Sequence, residues 1–155
     1  MRRNVLLVAI LAVVLPAGVR AQVAPLTPEQ RQAIMDYKLS QVRAGHLITA
    51  MGEMTRYVLA QKDFKERMAK LKGTTPAQRL ALIEQDTNAM EILRKNGLSA
   101  KEYVVGVPTL RMALIAASNG LREGIVASPA NIQFAKTHGD LKARMDSVDG
   151  IRPAK

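Results

Sequence analysis

Hydrophobic residues recur at helical spacing along most of the chain. One apolar stripe advances in steps of four, three and four residues, which is the period of a single helix face. It consists of Leu47, Met51, Met54 and Val58. The strict alternation of apolar and polar residues that indicates a strand is nearly absent. The pattern therefore predicts an all-α protein.

Cap signals divide the helical stretches. Thr27-Pro28-Glu29-Gln30 combines an N-cap threonine, a proline at the first helical position and the glutamine of a capping box. Thr75-Pro76-Ala77-Gln78 repeats this pattern. Ser99-Ala100-Lys101-Glu102 is a third capping box, and Ser128-Pro129-Ala130-Asn131 is a weaker fourth. Asn96-Gly97-Leu98 predicts a Schellman end, with glycine in the left-handed conformation.

These signals predict a compact bundle of four or five helices. The predicted helices span residues 28–71, 76–96, 100–119 and 129–147. The first is long enough to break, either at Ser40 or in the polar stretch 61–63. The third is apolar nearly all round and should be central, with a kink at Pro108. Gly45 and Gly52, seven residues apart, would let another helix approach closely.

The start of the chain is typical of a secretory signal peptide. Arg2 and Arg3 precede an apolar run over residues 5–15, and Val19-Arg20-Ala21 ends the leader. The run is too short for a membrane-spanning helix, which needs about 20 apolar residues. We expect a periplasmic or secreted protein, cleaved after Ala21, with no transmembrane segment in the mature chain. The predicted organisation is a signal peptide (1–21), a bundle domain (22–147, with 22–39 as an N-terminal extension) and a disordered tail (148–155).

Removing the leader changes the charge. The 155 residues include 23 basic and 13 acidic ones, a formal net charge of +10. The leader holds three of the basic residues and no acid, which leaves 20 against 13, or +7. The absence of cysteine excludes disulfides and thiol nucleophiles, and aromatic residues at 3% disfavour stacking on single-stranded nucleic acid. We therefore expect no nucleic-acid partner.

Catalytic and metal-binding patterns are weak. The chain has no nucleophile elbow, no H-E-x-x-H pair and no glycine-rich phosphate loop, and its two histidines, His46 and His138, are far apart. Three carboxylates fall on the predicted polar face of the second helix: Glu84, Asp86 and Glu91. His46, Met51 and Met54 form a candidate Cu(I) site, although the two methionines belong to the apolar stripe. We expect no catalytic, cofactor or metal site.

Positive charge is concentrated near the end of the first predicted helix. The basic residues there are Arg56, Lys62, Lys65, Arg67, Lys70 and Lys72. Asp63 and Glu66 lie among them, so helical ion pairs neutralise part of the charge. Such a surface attracts phospholipid head groups, lipopolysaccharide or acidic unfolded chains. A solvated surface without a partner is the alternative. In the third helix, Arg111 needs a partner or an exit to solvent.

Two resemblances bear on function. Leu26-Thr27-Pro28-Glu29-Gln30 resembles the L-T-x-x-Q motif of the periplasmic helical chaperones Spy and CpxP, and Thr74-Thr75-Pro76-Ala77-Gln78 looks like a second copy. This resemblance implies a homodimer with a basic, cradle-like surface. Three further blocks resemble an uncharacterised group of small exported all-helical bacterial proteins, which implies the fold and export alone. These blocks are residues 37–54, 96–104 and 128–134.

The sequence thus predicts an exported, non-enzymatic helical binding protein, chaperone-like, that uses a mildly basic surface. Its partner is expected to be a protein or an anionic component of the envelope. One alternative is a structural or assembly component that packs against an envelope partner protein. A metal sensor or buffer is a further, weaker alternative.

Overall fold

The computed structural model describes residues 26–71 and 74–151, except for the side chains of Arg67, Met68, Lys70 and Leu71. Within these ranges the chain forms eight helices and no strand, which confirms the all-α class. The helices are α1 Pro28–Asp36, α2 Gln41–Leu59, α3 Phe64–Leu71, α4 Pro76–Gln85, α5 Thr87–Lys95, α6 Ala100–Asn119, α7 Pro129–Thr137 and α8 Asp140–Asp149. The predicted leader and the last four residues, 152–155, lie outside the described residues.

The predicted caps form as hydrogen-bonded structures. In three helices the N-cap hydroxyl accepts from the third backbone N–H, and the side chain at that third position accepts from the N-cap N–H. These pairs are Thr27–Gln30, Thr75–Gln78 and Ser99–Glu102. Ser40 and Ser128 cap α2 and α7. Gly97 has φ of 66°, and the N–H of Leu98 donates to the carbonyl of Leu93 at 2.9 Å, which confirms the Schellman end.

Three of the four long predicted helices are divided, so the described residues hold eight helices where four or five were expected. The break at Ser40 and the break in residues 61–63 were predicted. At the first, the Asn131 side chain donates to the carbonyl of Tyr37 at 2.7 Å and accepts from the N–H of Leu39 at 3.1 Å. These bonds satisfy backbone groups outside a helix, so the chain can remain extended there.

The other two breaks were not predicted. Asp86 separates α4 from α5, because its carboxylate accepts from two N–H groups in the first turn of α5. His138 separates α7 from α8 with a non-helical backbone, φ −125° and ψ 61°. Its ring Nδ1 lies 2.8 Å from the carbonyl oxygen of Phe134. Local polar side chains therefore interrupt an apolar pattern that continues across both breaks.

Helix α6 is central, as predicted, and runs unbroken through Pro108. It packs against α1, α2, α4, α5 and α7. The largest fully buried side chains of its core come mainly from α2 and α6, and they include Leu47, Met51, Met54, Tyr103 and Leu110. Helix α1 belongs to this bundle as well, since it packs on α6 and buries Ile34.

Helix α8 packs on the glycine face of α2. A Cβ at Gly52 would lie 3.5 Å from the Val148 side chain, and one at Gly45 would lie 3.8 Å from Nη2 of Arg144. A helix therefore packs on the face of these two glycines, but both distances are ordinary contacts that leave room for a Cβ. Helix α8 continues to Asp149, so two residues of the predicted tail are helical. Of the helices in residues 26–71 and 74–151, none combines the length and hydropathy that a bilayer crossing requires.

Candidate functional site

The candidate site lies where α2 ends and α3 begins. The N–H of Ala60 donates to the carbonyl of Arg56 at 3.0 Å, and the N–H of Gln61 donates to that of Val58 at 3.0 Å. The Gln61 side chain also donates to the carbonyl of Tyr57 at 3.2 Å. These bonds satisfy the last carbonyls of α2 and allow the chain to turn before α3.

The structure separates the predicted basic residues into two groups. Lys62, in the turn, and Lys65, in the first part of α3, are both exposed. Arg56 is exposed too, but Nη1 of its guanidinium lies 3.7 Å from the Cβ position of Gly52, so it is directed back along α2. Arg67 and Lys70 are helical residues of α3 whose side chains lie outside the described part, and Lys72 lies outside the described residues.

We define the α3 basic segment as residues 62–72, which excludes Arg56. It contains five basic and two acidic residues, a net charge of +3. The two acids, Asp63 and Glu66, each take part in a polar or electrostatic interaction. The segment therefore keeps a positive charge after its own acids are counted.

Arg56 is partly committed to a different carboxylate. Hydrogen bonds from Lys95 and Asn96 lower the pKa of Glu53, and the charge of Arg56 contributes to the same shift. The Lys95 ammonium lies 3.0 Å from Glu53 Oε1, and the Asn96 amide donates to Oε2 at 2.9 Å. This cluster joins α2 to the end of α5 and is a structural contact.

Helix α3 has a different environment from the other helices. In the described residues it belongs to none of the principal helix-to-helix contacts that build the bundle. Phe64 is partly buried, yet it is not among the side chains packed against the main hydrophobic core. Among the described side chains of this segment, Lys62 and Lys65 are exposed and Phe64 lies outside the main core.

The carboxylates on the predicted polar face do not form one group. Glu84 and Glu91 are exposed, as expected. The prediction was wrong for Asp86, which is 0% exposed. Its carboxylate caps α5 and accepts from the Tyr57 hydroxyl at 3.2 Å. An aspartate at the start of a helix is itself an N-cap signal, so the sequence contained the clue to this role.

The candidate copper ligands are divided between core and surface. Met51 and Met54 are each 1% exposed in the core, whereas His46 is exposed beside Gly97. His138 is stacked on Phe134 with ring centroids 4.2 Å apart. Of the three candidate copper ligands, Met51 and Met54 are therefore core residues and His46 is a surface residue.

A shallow groove of about 430 Å³ was not predicted. It lies beside the Schellman turn, and its lining is Met90, Glu91, Arg94, Gly97, Leu98 and Ser99. The turn itself was predicted from the sequence. The groove depends on how α5 packs against the start of α6, which the sequence does not show. Most of its lining is apolar, which suits a hydrophobic side chain better than an ion.

Comparisons with known proteins assign no function to the α3 basic segment or to the groove. The chain matches no known family model, and comparisons with curated proteins and with solved structures find no match. The resemblance to Spy and CpxP stays a prediction. Its two motifs form the capping boxes that open α1 and α4. In both, the arginine that follows the glutamine donates to the carbonyl before the N-cap: Arg31 to Leu26 and Arg79 to Thr74.

Proposed function

We propose that this chain is an exported, non-enzymatic helical binding protein of the cell envelope, in which the α3 basic segment binds an anionic partner. The observation that carries the proposal is the net charge of +3 over residues 62–72, which include α3, a helix outside the principal contacts among the described residues. Lys62 and Lys65 are exposed and can meet a partner while the core stays packed. The leader over residues 1–21 supports export.

Affinity capture from the native envelope tests this proposal. The bait is the processed protein, and the capture is run at about 0.05 M and about 0.5 M salt, because salt screens exposed charges. We expect a partner that is retained at low salt and lost at high salt. The double variant Lys62→Gln/Lys65→Gln should lose it, whereas Lys101→Gln/Lys136→Gln, two exposed lysines on α6 and α7, should keep it. Capture that is unchanged both by salt and by Lys62→Gln/Lys65→Gln would contradict the proposal.

A chaperone-like role adds a second measurement. Acidic unfolded chains are anionic partners, so the protein should slow the aggregation of a denatured acidic client. The Lys62→Gln/Lys65→Gln variant should slow it less than the Lys101→Gln/Lys136→Gln variant does. Equal protection by the two variants would show that the α3 basic segment does not contribute to the chaperone activity.

The groove supports the alternative of an assembly component. Its apolar lining, with Met90 and Leu98, could accept a hydrophobic side chain of a partner protein. Such a partner would be captured stoichiometrically and would resist salt, because apolar burial is not screened. Met90→Gln should then weaken capture, while Lys62→Gln/Lys65→Gln should not.

A further inference from the structure

The longest unbroken run of exposed residues in the described part of the chain lies between α6 and α7. Residues 118–124 are all exposed, and Leu121 among them is 63% exposed. Gly120 and Gly124 have φ of 76° and 83°, and a Cβ at either would meet nothing within 4 Å beyond its chain neighbours. The tip of this connection therefore lies in solvent, away from the packed helices.

Few hydrogen bonds restrain this tip. The N–H of Gly120 donates to the carbonyl of Ala116 at 2.9 Å and closes α6. The N–H of Ile125 donates to the carbonyl of Arg122 at 3.0 Å, a bond within the connection itself. Among the described residues, the backbone of 121–124 forms no hydrogen bond with a helix. A protease binds its substrate as an extended segment, and this segment can open without unfolding a helix.

The exposed tip contains a bond of the kind that basic-specific proteases recognise. Arg122 and Glu123 are both exposed. Proteases of this class bind an arginine or lysine side chain through a carboxylate in a deep pocket, so the basic side chain must be free to leave its own surface. Exposed loop tips are also the preferred sites of proteolytic nicking. The bond between Arg122 and Glu123 combines the required residue type with an accessible backbone.

Other exposed basic residues lie in more restrained backbone. Lys101 is a helical residue of α6. Lys38 is exposed in the non-helical linker between α1 and α2. The buried Asn131 side chain holds the backbone on both sides of Lys38, through the carbonyl of Tyr37 and the N–H of Leu39. A protease must break these bonds to bind the linker, which makes Lys38 a matched comparison for the α6–α7 connection.

We propose that the bond between Arg122 and Glu123 is a processing site for a protease specific for basic residues, and that the cut chain stays assembled. In the cut, one water molecule adds across the peptide bond, so Arg122 gains a carboxylate and Glu123 gains an amino group. One fragment carries α1–α6 and the other carries α7 and α8. The α3 basic segment stays in the first fragment, and this inference does not depend on the partner proposed for it.

Contacts across the cut hold the two fragments together. Helix α7 packs on α6, and α8 packs on α2. Leu141 and Met145 of α8 belong to the hydrophobic core. Asp149 of α8 pairs with Arg111 of α6, and both side chains are largely buried. None of these interactions needs a continuous chain, so the cut removes only the loop closure that the intact connection provides.

Limited digestion of the processed full-length protein with trypsin tests the site. Mass spectrometry of successive samples identifies each cut by its new chain ends. Among the basic residues of the described part, we expect the first cut after Arg122, and Arg122→Gln should abolish that product. Lys38→Gln is the matched control and should leave the cut after Arg122 unchanged. A first cut at Lys38, or at a helical residue such as Lys101, would overturn the assignment of the site.

A rescue variant separates the accessibility of the tip from the identity of one residue. Arg122→Gln/Glu123→Arg moves the basic residue one position along the same exposed run, so trypsin should cut again, now after position 123. Circular dichroism verifies that the variant is folded. Resistance of this folded double variant to trypsin would overturn the role given to the exposed backbone.

Size-exclusion chromatography tests whether the cut chain stays assembled. Without urea the two fragments should elute together at the volume of the intact protein, and with urea they should separate. Asp149→Asn should lower the urea concentration at which they separate, whereas Asp146→Asn, exposed on the same helix, should not. Separation without urea, or equal effects of the two variants, would overturn the assembled product.

Extracts of the cells that make the protein show whether the site is used. We expect a fragment that begins at Glu123 in the wild type and no such fragment in Arg122→Gln. A wild-type chain that trypsin cuts after Arg122 but that is intact in these extracts would overturn processing. That result would leave the proposed function standing, because capture of an anionic partner tests it separately.

Discussion

Arg111 in α6 and Asp149 in α8 form a two-point ion pair that ties the last helix to the central one. Nη1 of Arg111 donates to Oδ2 of Asp149 at 2.8 Å, and Nη2 donates to Oδ1. Both side chains are only 17% exposed. Nη2 also lies 3.4 Å from the sulfur of Met51. Arg111, which was expected to need a partner inside the apolar helix, is therefore paired with a residue 38 positions later in the chain.

Removing this partner should destabilise the fold. Asp149→Asn leaves the Arg111 guanidinium largely buried without its counter-charge, so we expect the free energy of unfolding to fall by about 2–4 kcal/mol. Asp146→Asn is the control on the same helix, because Asp146 is 60% exposed and pairs with Lys142 at the surface. Its effect should stay below about 1 kcal/mol. Urea unfolding measures both, and equal losses would contradict the role given to the Arg111–Asp149 pair.

Gly106 should not tolerate a side chain. A Cβ there would lie 2.8 Å from the Tyr37 hydroxyl oxygen and 2.9 Å from both terminal methyl carbons of Leu47. Leu47 is fully buried and has little room to move. We therefore expect Gly106→Ala to lower the free energy of unfolding by about 1–3 kcal/mol, as overpacked cores do.

Gly45 is the matched control with the opposite expected sign. Its Cβ position is 3.8 Å from Arg144, an ordinary contact distance. Gly45→Ala should raise the free energy of unfolding by about 0.5–1 kcal/mol, because alanine loses less backbone freedom in a helix. A loss at Gly45 as large as that at Gly106 would show that the helix contacts are tighter than described.

The sequence predicted those parts of the fold that depend on residues close together in the chain. A capping box joins positions three residues apart, so Thr27, Thr75 and Ser99 could be assigned without a tertiary structure. The bonds from Asn131 to Tyr37 and Leu39 join positions more than 90 residues apart. No local pattern contains such a contact.

In the candidate site, too, the features that depend on neighbouring residues were predicted and those that depend on tertiary contacts were not. The composition of the α3 basic segment and the break before it follow from local sequence. That Arg56 would be directed back along α2, towards Gly52, depends on the end of that helix and its neighbours. Asp86 differs from Arg56, because its role follows from local sequence. An aspartate at that position is an N-cap signal, but helical periodicity predicted a place on the polar face instead.

Glu102 should make the fold sensitive to acid. Backbone and side-chain hydrogen bonds from Ser99 lower its pKa below 4.5. The stabilisation is therefore complete above about pH 4.5, the unfolded value, and is lost as the pH falls through the lower folded value. Glu102→Gln should preserve the box without titrating, because Gln30 and Gln78 hold the same position in the other two boxes.

The comparison is between the wild type and Glu102→Gln in urea at about pH 7 and about pH 3. We expect the wild type to lose more stability than the variant between these two conditions. Ser99→Ala removes the side-chain hydrogen bond to Glu102 and keeps the backbone one, so it should reduce the same pH dependence only in part. A constant difference between wild type and Glu102→Gln at both pH values would contradict this account.

Replacing Tyr103 with phenylalanine should stabilise the fold. Its ring is 0% exposed, and its hydroxyl has no hydrogen-bond partner among the described residues. Tyr103→Phe removes an unpaired buried polar group, so we expect the free energy of unfolding to rise by up to about 1 kcal/mol. Tyr57→Phe is the control, because that hydroxyl donates to Asp86 at 3.2 Å and accepts from Asn88 at 3.1 Å. Its loss should cost about 1–2 kcal/mol.

Alkaline unfolding tests the buried environment of Tyr103 further. Burial raises the pKa of Tyr103 well above its ordinary value of 10.0, although the charge of Arg111 opposes the shift. Above that ordinary value the unfolded chain releases the proton and the folded chain retains it, so stability falls as the pH rises. Tyr103→Phe should make this fall shallower in urea titrations at increasing pH. If the wild type and Tyr103→Phe lose stability in parallel, the hydroxyl is not held in the buried, unpaired environment that the structure describes.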